Sequence, residues 1–220
     1  MHAFDYATPQ SVADAVVLLN EHGKNALVLA GGTDLLVHLR AGALQPDLIV
    51  DGKSVPELSE LSYSPEFGLT LGAAVPCYEI YQNAEVAAAY PGLIDAVALI
   101  GGIQIQGRAS VGGNLCNGTP SADTIPALIA HNVTCKIAGP GGSREVAVED
   151  FCTGPATTFP QAVSACCSAT RLKSGAKQPT PAMTCFYAAT PMAARSACPA
   201  ASRSPSTPTA PAGSAKASGR

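Results

Sequence analysis

Two glycine-rich segments, about eighty residues apart, hold the residues whose types and spacing could do chemistry. The first covers residues 29–35, Leu-Ala-Gly-Gly-Thr-Asp-Leu, and the second begins at residue 110 and reads Ser-Val-Gly-Gly-Asn-Leu-Cys-Asn-Gly-Thr-Pro-Ser-Ala-Asp. Paired glycines let several backbone N–H groups approach a phosphate, and the hydroxyl, amide and carboxylate groups beside them can add hydrogen bonds. Two such segments in one small domain predict a ligand with two phosphates, held from both sides.

The elements around these segments predict an α+β fold of two lobes. Helical and strand patterns mix without a steady βαβ period. A short buried strand over 26–30 ends at the first glycine pair, and a helix over 91–100 and one over 121–130 flank the second segment. A break near residue 57 divides the chain into lobe 1, residues 1–56, and lobe 2, residues 57–160. The ligand is expected between the lobes.

The composition changes abruptly after residue 160. All 16 acidic residues lie in 1–160 with six basic ones, a net charge of −10, whereas 161–220 hold seven basic residues and no acidic one. Val163 and Leu172 are the only Val, Ile or Leu residues in that last part. Such a segment buries too little apolar surface to offset its ordering entropy, so 161–220 are predicted to be disordered. A low-complexity tail and an out-of-frame translation of a GC-rich gene both fit, and the abrupt onset favours the second.

Bulk properties exclude several functions. A net charge of −3 gives no reason to expect nucleic acid as a partner. The sequence contains no run of about 18 or more apolar residues, so a membrane-spanning helix is not expected. Residues 1–6 lack the features of a signal peptide, and a cytoplasmic location is therefore expected. The eight cysteines form no C-x-x-C pair, so free thiols are expected rather than disulfides or a metal site.

Both glycine segments carry a family resemblance. Residues 27–40 and 107–130 resemble the two flavin-binding segments of the FAD-binding medium subunit of molybdenum hydroxylases, the family of xanthine dehydrogenase and carbon monoxide dehydrogenase. The opening with Phe4, Tyr6 and Pro9, and the later segment 148–155, also resemble this family. The similarity covers roughly residues 1–157, and the order and spacing of both segments make it specific.

The resemblance implies a two-lobed FAD-binding domain of the vanillyl-alcohol oxidase (PCMH) type. It is truncated here, because relatives continue with further strands and a C-terminal domain. A late strand is therefore expected to be missing, which would leave lobe 2 with an unpaired sheet edge.

The implied function is electron transfer in a multi-subunit oxidoreductase. Electrons would pass from an iron–sulfur small subunit through FAD to a terminal acceptor, with molybdopterin on a large subunit and the [2Fe–2S] clusters also on partner chains. Two alternatives stay open: a degenerate or truncated fragment without activity, and a stand-alone flavin-dependent reductase like the enolpyruvyl-glucosamine reductase of cell-wall synthesis.

The resemblance also implies a set of cofactor-binding residues, with no catalytic residue and no metal ligand. The set is Leu29, Ala30, Gly31, Gly32, Thr33, Asp34, Leu35, Ile100, Gly101, Ser110, Val111, Gly112, Gly113, Asn114, Asn117, Ser121 and Asp123. The glycine segments would hold the diphosphate, Asp123 would accept hydrogen bonds from ribose or ribityl hydroxyls, and Ile100 and Gly101 would lie beside the flavin. Simpler structural roles compete: Asp34 could cap the following helix, Asp123 could be a first-turn charge, and Ser110 a turn hydroxyl.

Overall fold

A computed structural model of the chain describes residues 2–118, 121–153 and 183–187. Its strands form two sheets: β1 (Asp5–Ala7), β2 (Ala26–Leu29) and β3 (Leu48–Asp51) in the first, and β4 (Leu61–Ser64), β5 (Gly68–Leu71), β6 (Thr134–Gly139), β7 (Gly142–Ala147) and β8 (Met183–Tyr187) in the second. Its helices are α1 (Val12–His22), α2 (Leu35–Arg40), α3 (Cys77–Gln82), α4 (Ala84–Ala89), α5 (Pro91–Ala98), α6 (Ile103–Gln106), α7 (Val111–Asn117), α8 (Ile125–Ala130) and α9 (Val148–Thr153). Within these residues, none of the helices has the length and apolar character that crossing a membrane requires.

The first sheet is parallel, with the strand order β1-β3-β2. Helix α1 begins at Val12 because the Ser11 hydroxyl accepts a hydrogen bond from the backbone N–H of Asp14, and it ends at Gly23, which has a φ of 53°. Ala15 and Leu19 on one face of α1 are buried with β2 and β3. Helix α1 therefore packs against β2, and β2 leads directly into the glycine pair of the first segment.

The second sheet has the order β4-β5-β8-β6-β7. Its two outer pairs, β4 with β5 and β6 with β7, are antiparallel, whereas β8 is parallel to both β5 and β6. Helices α3 to α8 lie between β5 and β6 in sequence, so the connection between these two parts of the sheet contains the whole second glycine segment.

Strand β8 corrects the prediction that the late part of the chain supplies no strand. Residues 183–187, Met-Thr-Cys-Phe-Tyr, lie between β5 and β6, so neither of those strands is left as an unpaired edge. Threonine and aromatic residues favour extended backbone, and a gap between two strands offers hydrogen-bond partners on both sides. The rest of the predicted tail lies outside the described residues.

The region of the second glycine segment contains more helices than predicted. The sequence predicts helices over 91–100 and 121–130 in this region, but residues 103–106 and 111–117 also form helices, α6 and α7. Further along the chain, residues 148–153 form helix α9. Glycine lowers helix propensity, so Gly112 and Gly113 make α7 difficult to predict from the sequence. Ser110, directly before α7, is nevertheless a good N-cap residue.

One hydrophobic core joins the two lobes. It contains Ala15 and Leu19 from α1 together with Leu69 and Leu71 of β5 and Ile137 of β6. The apolar side chains of α1 are thus shared between the first and second sheets. This shared core fixes the two glycine segments relative to each other.

An aromatic cluster around the buried Tyr90 connects the end of α8 to the start of α5. The Tyr90 ring lies edge-on to Tyr63, with centroids 5.9 Å apart, and to the His131 ring at 5.3 Å. Burial lowers the pKa of His131 and raises the pKa of Tyr90, because each charged form would lose hydration. His131 is therefore held in its neutral form.

This environment predicts a pH-dependent stability. Because the folded-state pKa of His131 is below its ordinary value of 6.5, the unfolded chain binds a proton first as the pH falls. We expect the contribution of His131 to be complete above about pH 6.5 and to be lost as the pH falls through the folded pKa. Thermal unfolding of wild type and His131→Phe between pH 7.5 and 5 measures it. A wild-type midpoint that falls no more steeply than that of the Phe variant would contradict the prediction.

A candidate cofactor cleft between the two glycine segments

A cleft lies where the two glycine segments face each other. Twelve of the seventeen predicted residues line it: Ala30, Gly31, Gly32, Thr33, Asp34, Leu35, Ile100, Ser110, Gly112, Gly113, Asn114 and Asn117. The other lining residues are Val28, His38, Leu44, Gly52, Leu58, Ala73, Ala74, Ala109 and Cys116. Both segments and both lobes therefore contribute to one concave surface.

Gly31 of the first segment is in direct contact with residues 108 and 109, which immediately precede the second segment. A Cβ atom on Gly31 would lie 2.3 Å from the Arg108 carbonyl oxygen and 2.9 Å from the Ala109 Cα. The Arg108 Nε also donates a long hydrogen bond of 3.4 Å to the Gly31 carbonyl. Glycine is required here because only a residue without a side chain lets the backbones approach this closely.

The first segment presents backbone donors to the cleft. Gly32 has a φ of 79°, in the region that favours glycine, and the chain then turns into α2. The backbone N–H groups of Gly32, Thr33 and Asp34 have no hydrogen-bond partner among the described residues. Several adjacent N–H groups without partners in a concave site fit an anionic ligand such as a diphosphate.

The second segment is fixed by helix α7 and by β5. The Ser110 hydroxyl accepts a hydrogen bond of 3.0 Å from the Gly113 N–H, so Ser110 is the N-cap of α7. A Cβ on Gly112 would lie 2.3 Å from the Ala73 carbonyl oxygen, just beyond β5. The Cys77 N–H donates to the Ala109 carbonyl at 2.8 Å. Ser110 thus has a structural role as a helix N-cap, rather than the turn hydroxyl that was its predicted alternative, and it also lines the cleft.

Asp34 and Asn117 connect the lobes across the cleft. The Asn117 Nδ2 donates to the Asp34 Oδ2 at 3.2 Å. Asp34 stands at the N-cap position of α2, yet its side chain makes no capping hydrogen bond. The carboxylate is therefore directed towards the second segment rather than towards its own helix.

Five predicted residues do not line the cleft: Leu29, Gly101, Val111, Ser121 and Asp123. Val111 is buried behind the cleft in the hydrophobic core. Ser121 and Asp123 are exposed and precede α8, which begins at Ile125. Asp123 is therefore not a residue of the first turn of that helix, and its contact with a ligand stays a prediction.

Lys53 holds the first segment in place, although no sequence pattern singles it out. Its ammonium group donates to the Ala30 carbonyl at 3.2 Å and to the Asp51 carboxylate at 2.7 Å. Burial acts to raise the pKa of Asp51, but hydrogen bonds from Lys53 and Tyr6 outweigh it and hold the pKa below its usual range. Asp51 is therefore ionised at neutral pH and anchors the ammonium group against β2.

We expect Lys53→Met to weaken ligand binding at the first segment by about five-fold, because the Ala30 carbonyl loses a charged donor while the apolar stem is kept. Lys53→Arg should restore most of the affinity. Titration of each variant with FAD, followed by flavin fluorescence, measures the effect. Equal affinities for Lys53→Met and wild type would show that the ammonium group does not position the segment.

Lys53 and Arg108 share one property: each donates a hydrogen bond to a backbone carbonyl group far away along the chain. The separation is 23 positions for Lys53 and 77 positions for Arg108. His38 on α2 and Cys116 on α7 also line the cleft. The sequence offers only a weak signal for Lys53 and Arg108, because Lys53 follows a strand and Arg108 precedes the second segment. Neither location predicts which carbonyl group the side chain contacts.

Comparison with known proteins places this geometry in a family. Residues 2–168 match the family described as the FAD binding domain in molybdopterin dehydrogenase. The chain is 33% identical over 155 residues to the xanthine dehydrogenase FAD-binding subunit of Escherichia coli O157:H7, covering 69% of this chain and 53% of that protein. It is also 33% identical over 158 residues to the carbon monoxide dehydrogenase medium chain of Hydrogenophaga pseudoflava, covering 71% and 54%. The chain thus spans about half the length of these relatives.

Solved structures confirm the predicted fold class. Carbon monoxide dehydrogenase from Hydrogenophaga pseudoflava matches with a TM-score of 0.68 and 26% identity, over 82% of this chain and 66% of that one. Quinoline 2-oxidoreductase from Pseudomonas putida 86 matches with a TM-score of 0.64 and 30% identity, over 69% and 53%.

Proposed function

Because the chain belongs to the family of FAD binding domains in molybdopterin dehydrogenases, we propose that it binds FAD in the cleft between its two glycine segments. The observation that carries the proposal is the close approach of Gly31 to residues 108 and 109, beside a run of backbone N–H groups that have no partner in the described part of the chain. The diphosphate would accept hydrogen bonds from Gly32, Thr33 and Asp34. Asn114 on the second segment would add an amide donor.

We also propose that the protein is the flavin component of a multi-subunit oxidoreductase. When bound, FAD supplies a group that accepts two electrons and passes them on. An iron–sulfur small subunit would deliver the electrons, a molybdopterin large subunit would oxidise the substrate, and the complex would be cytoplasmic. Leu99 and Ile103 support a protein partner near the flavin, since both are large apolar residues exposed beside Ile100.

A second candidate is a truncated fragment that binds FAD without passing electrons on. A stand-alone reductase has less support, because Asp34 and His38 are the only carboxylate and imidazole groups that the described residues place in the cleft.

Purification of the 220-residue chain with measurement of its flavin content tests the proposal. Absorbance at the flavin bands, with about one FAD per chain after titration, is the expected result. A chain that folds but takes up no FAD would contradict the cofactor assignment. Reduction of bound FAD by an iron–sulfur partner protein distinguishes the electron-transfer subunit from the inert fragment.

A further inference from the structure

Asn114 is oriented by a buried residue of the next helix. Thr124 is completely buried, and both its backbone N–H and its hydroxyl lie against the Asn114 Oδ1, at 3.2 Å and 2.6 Å. The contact joins α7 to the N-cap position of α8. It is independent of the contact between Gly31 and Arg108.

The identity of the contacting atom follows from donor chemistry. A backbone N–H can only donate, so the atom of Asn114 that faces it must be the carbonyl oxygen rather than the amide nitrogen. The hydroxyl of Thr124 then donates to the same oxygen. The amide of Asn114 is therefore held in one of its two orientations.

The Asn114 amide nitrogen is available to donate hydrogen bonds to a ligand in the cleft. Asn114 lines the cleft, and its Nδ2 has no hydrogen-bond partner among the described residues. With Oδ1 engaged twice, the side chain offers two N–H donors and no free acceptor to a ligand. Any ligand atom that binds there must be an acceptor, such as a phosphate oxygen or a carbonyl.

The Thr124 side chain contacts Asn114 and does not cap its own helix. Thr124 stands at the N-cap position of α8, where a threonine hydroxyl commonly accepts from its own helix, yet it makes no side-chain capping bond. Its carbonyl accepts from the Leu128 N–H at 3.0 Å, so the start of the helix depends on its backbone alone. The hydroxyl is committed to Asn114.

We propose that Thr124 is a positioning residue that fixes the Asn114 amide so that only donors face the FAD. The inference rests on the proposed function. It identifies a specificity determinant for an acceptor-bearing part of the cofactor, supplied by a residue that does not itself line the cleft.

A double-mutant cycle in the full 220-residue chain tests this role, with the FAD dissociation constant as the readout. Thr124→Val keeps the volume but removes the hydroxyl, and we expect affinity to fall about five-fold. Thr124→Ser should bind like wild type. In an Asn114→Ala background, Thr124→Val should have no further effect, because the amide it orients is absent. Equal losses in both backgrounds would show a merely structural role and overturn the proposal.

Asn114→Asp gives a second measurement that does not depend on how Thr124→Val folds. The carboxylate still accepts from Thr124 but presents an acceptor to the ligand, so it should bind FAD more weakly than Asn114→Ala. Binding as tight as wild type would overturn the proposal. Wild type that binds no FAD would contradict the proposed function itself and this inference with it, whereas tight wild-type binding unaffected by Thr124→Val contradicts this inference alone.

Discussion

Replacing Gly31 by alanine is expected to lower FAD affinity by about 100-fold. The added methyl group would lie 2.3 Å from the Arg108 carbonyl oxygen and 2.9 Å from the Ala109 Cα, and neither backbone atom can move without displacing its segment. The two segments must separate, and the cleft loses the alignment of at least two hydrogen bonds to a charged ligand, each contributing about 1.5 kcal/mol. We also expect a stability loss of about 2 kcal/mol from overpacking.

Gly107 provides the matched control. It lies just before Arg108, has a φ of −65°, and a Cβ there would meet nothing closer than the Ile103 carbonyl oxygen at 3.8 Å. Alanine at this position should leave FAD affinity unchanged and stability within about 0.5 kcal/mol of wild type. FAD titration and thermal unfolding of both variants separate the contact from a general effect of adding a methyl group. Gly31→Ala binding FAD as tightly as Gly107→Ala would contradict the proposed arrangement of the segments.

The sequence predicts those elements well whose apolar runs are bounded by turn residues. The strand predicted at residues 26–30 is observed as β2, Ala26–Leu29, and the helix predicted at 91–100 is observed as α5, Pro91–Ala98. Each of these has a buried face, and each predicted range is followed by a glycine. Helix α7 was missed because its glycines disfavour a helix locally, and the packing of Gly112 against Ala73, together with the N-cap Ser110, outweighs the effect of these glycines.

For the cleft, local sequence predicts the positions that need glycine and the small polar residues beside them. It does not predict what aligns them. Lys53, Arg108 and Thr124 each act on a residue at least ten positions away. Such contacts depend on how α1, β5 and α8 share one core, which no local pattern encodes. The choice between capping and bridging for Asp34 is likewise decided by Asn117, 83 positions away.

The late strand is the point at which sequence and structure diverge most, and Thr184→Pro is expected to have the largest effect on stability. Thr184 lies in the middle of β8, opposite Thr70 of β5 and Thr134 of β6. In a strand paired on both sides, every backbone N–H faces one neighbour or the other, so proline removes a hydrogen bond and its ring disturbs the ladder. We expect a loss of about 3 kcal/mol or more, which for a domain of marginal stability means a large unfolded population.

Thr184→Val is the control for this change, because a β-branched residue keeps the strand propensity and the backbone donor. It should unfold within a few degrees of wild type, whereas Thr184→Pro should unfold at a much lower temperature and bind little FAD. Unchanged unfolding of the proline variant would mean that β8 contributes nothing to the sheet. In that case the disorder predicted from the composition of residues 161–220 would hold for residues 183–187 as well. Strands β5 and β6 would then each have an unpaired edge, at which strands of other chains can pair.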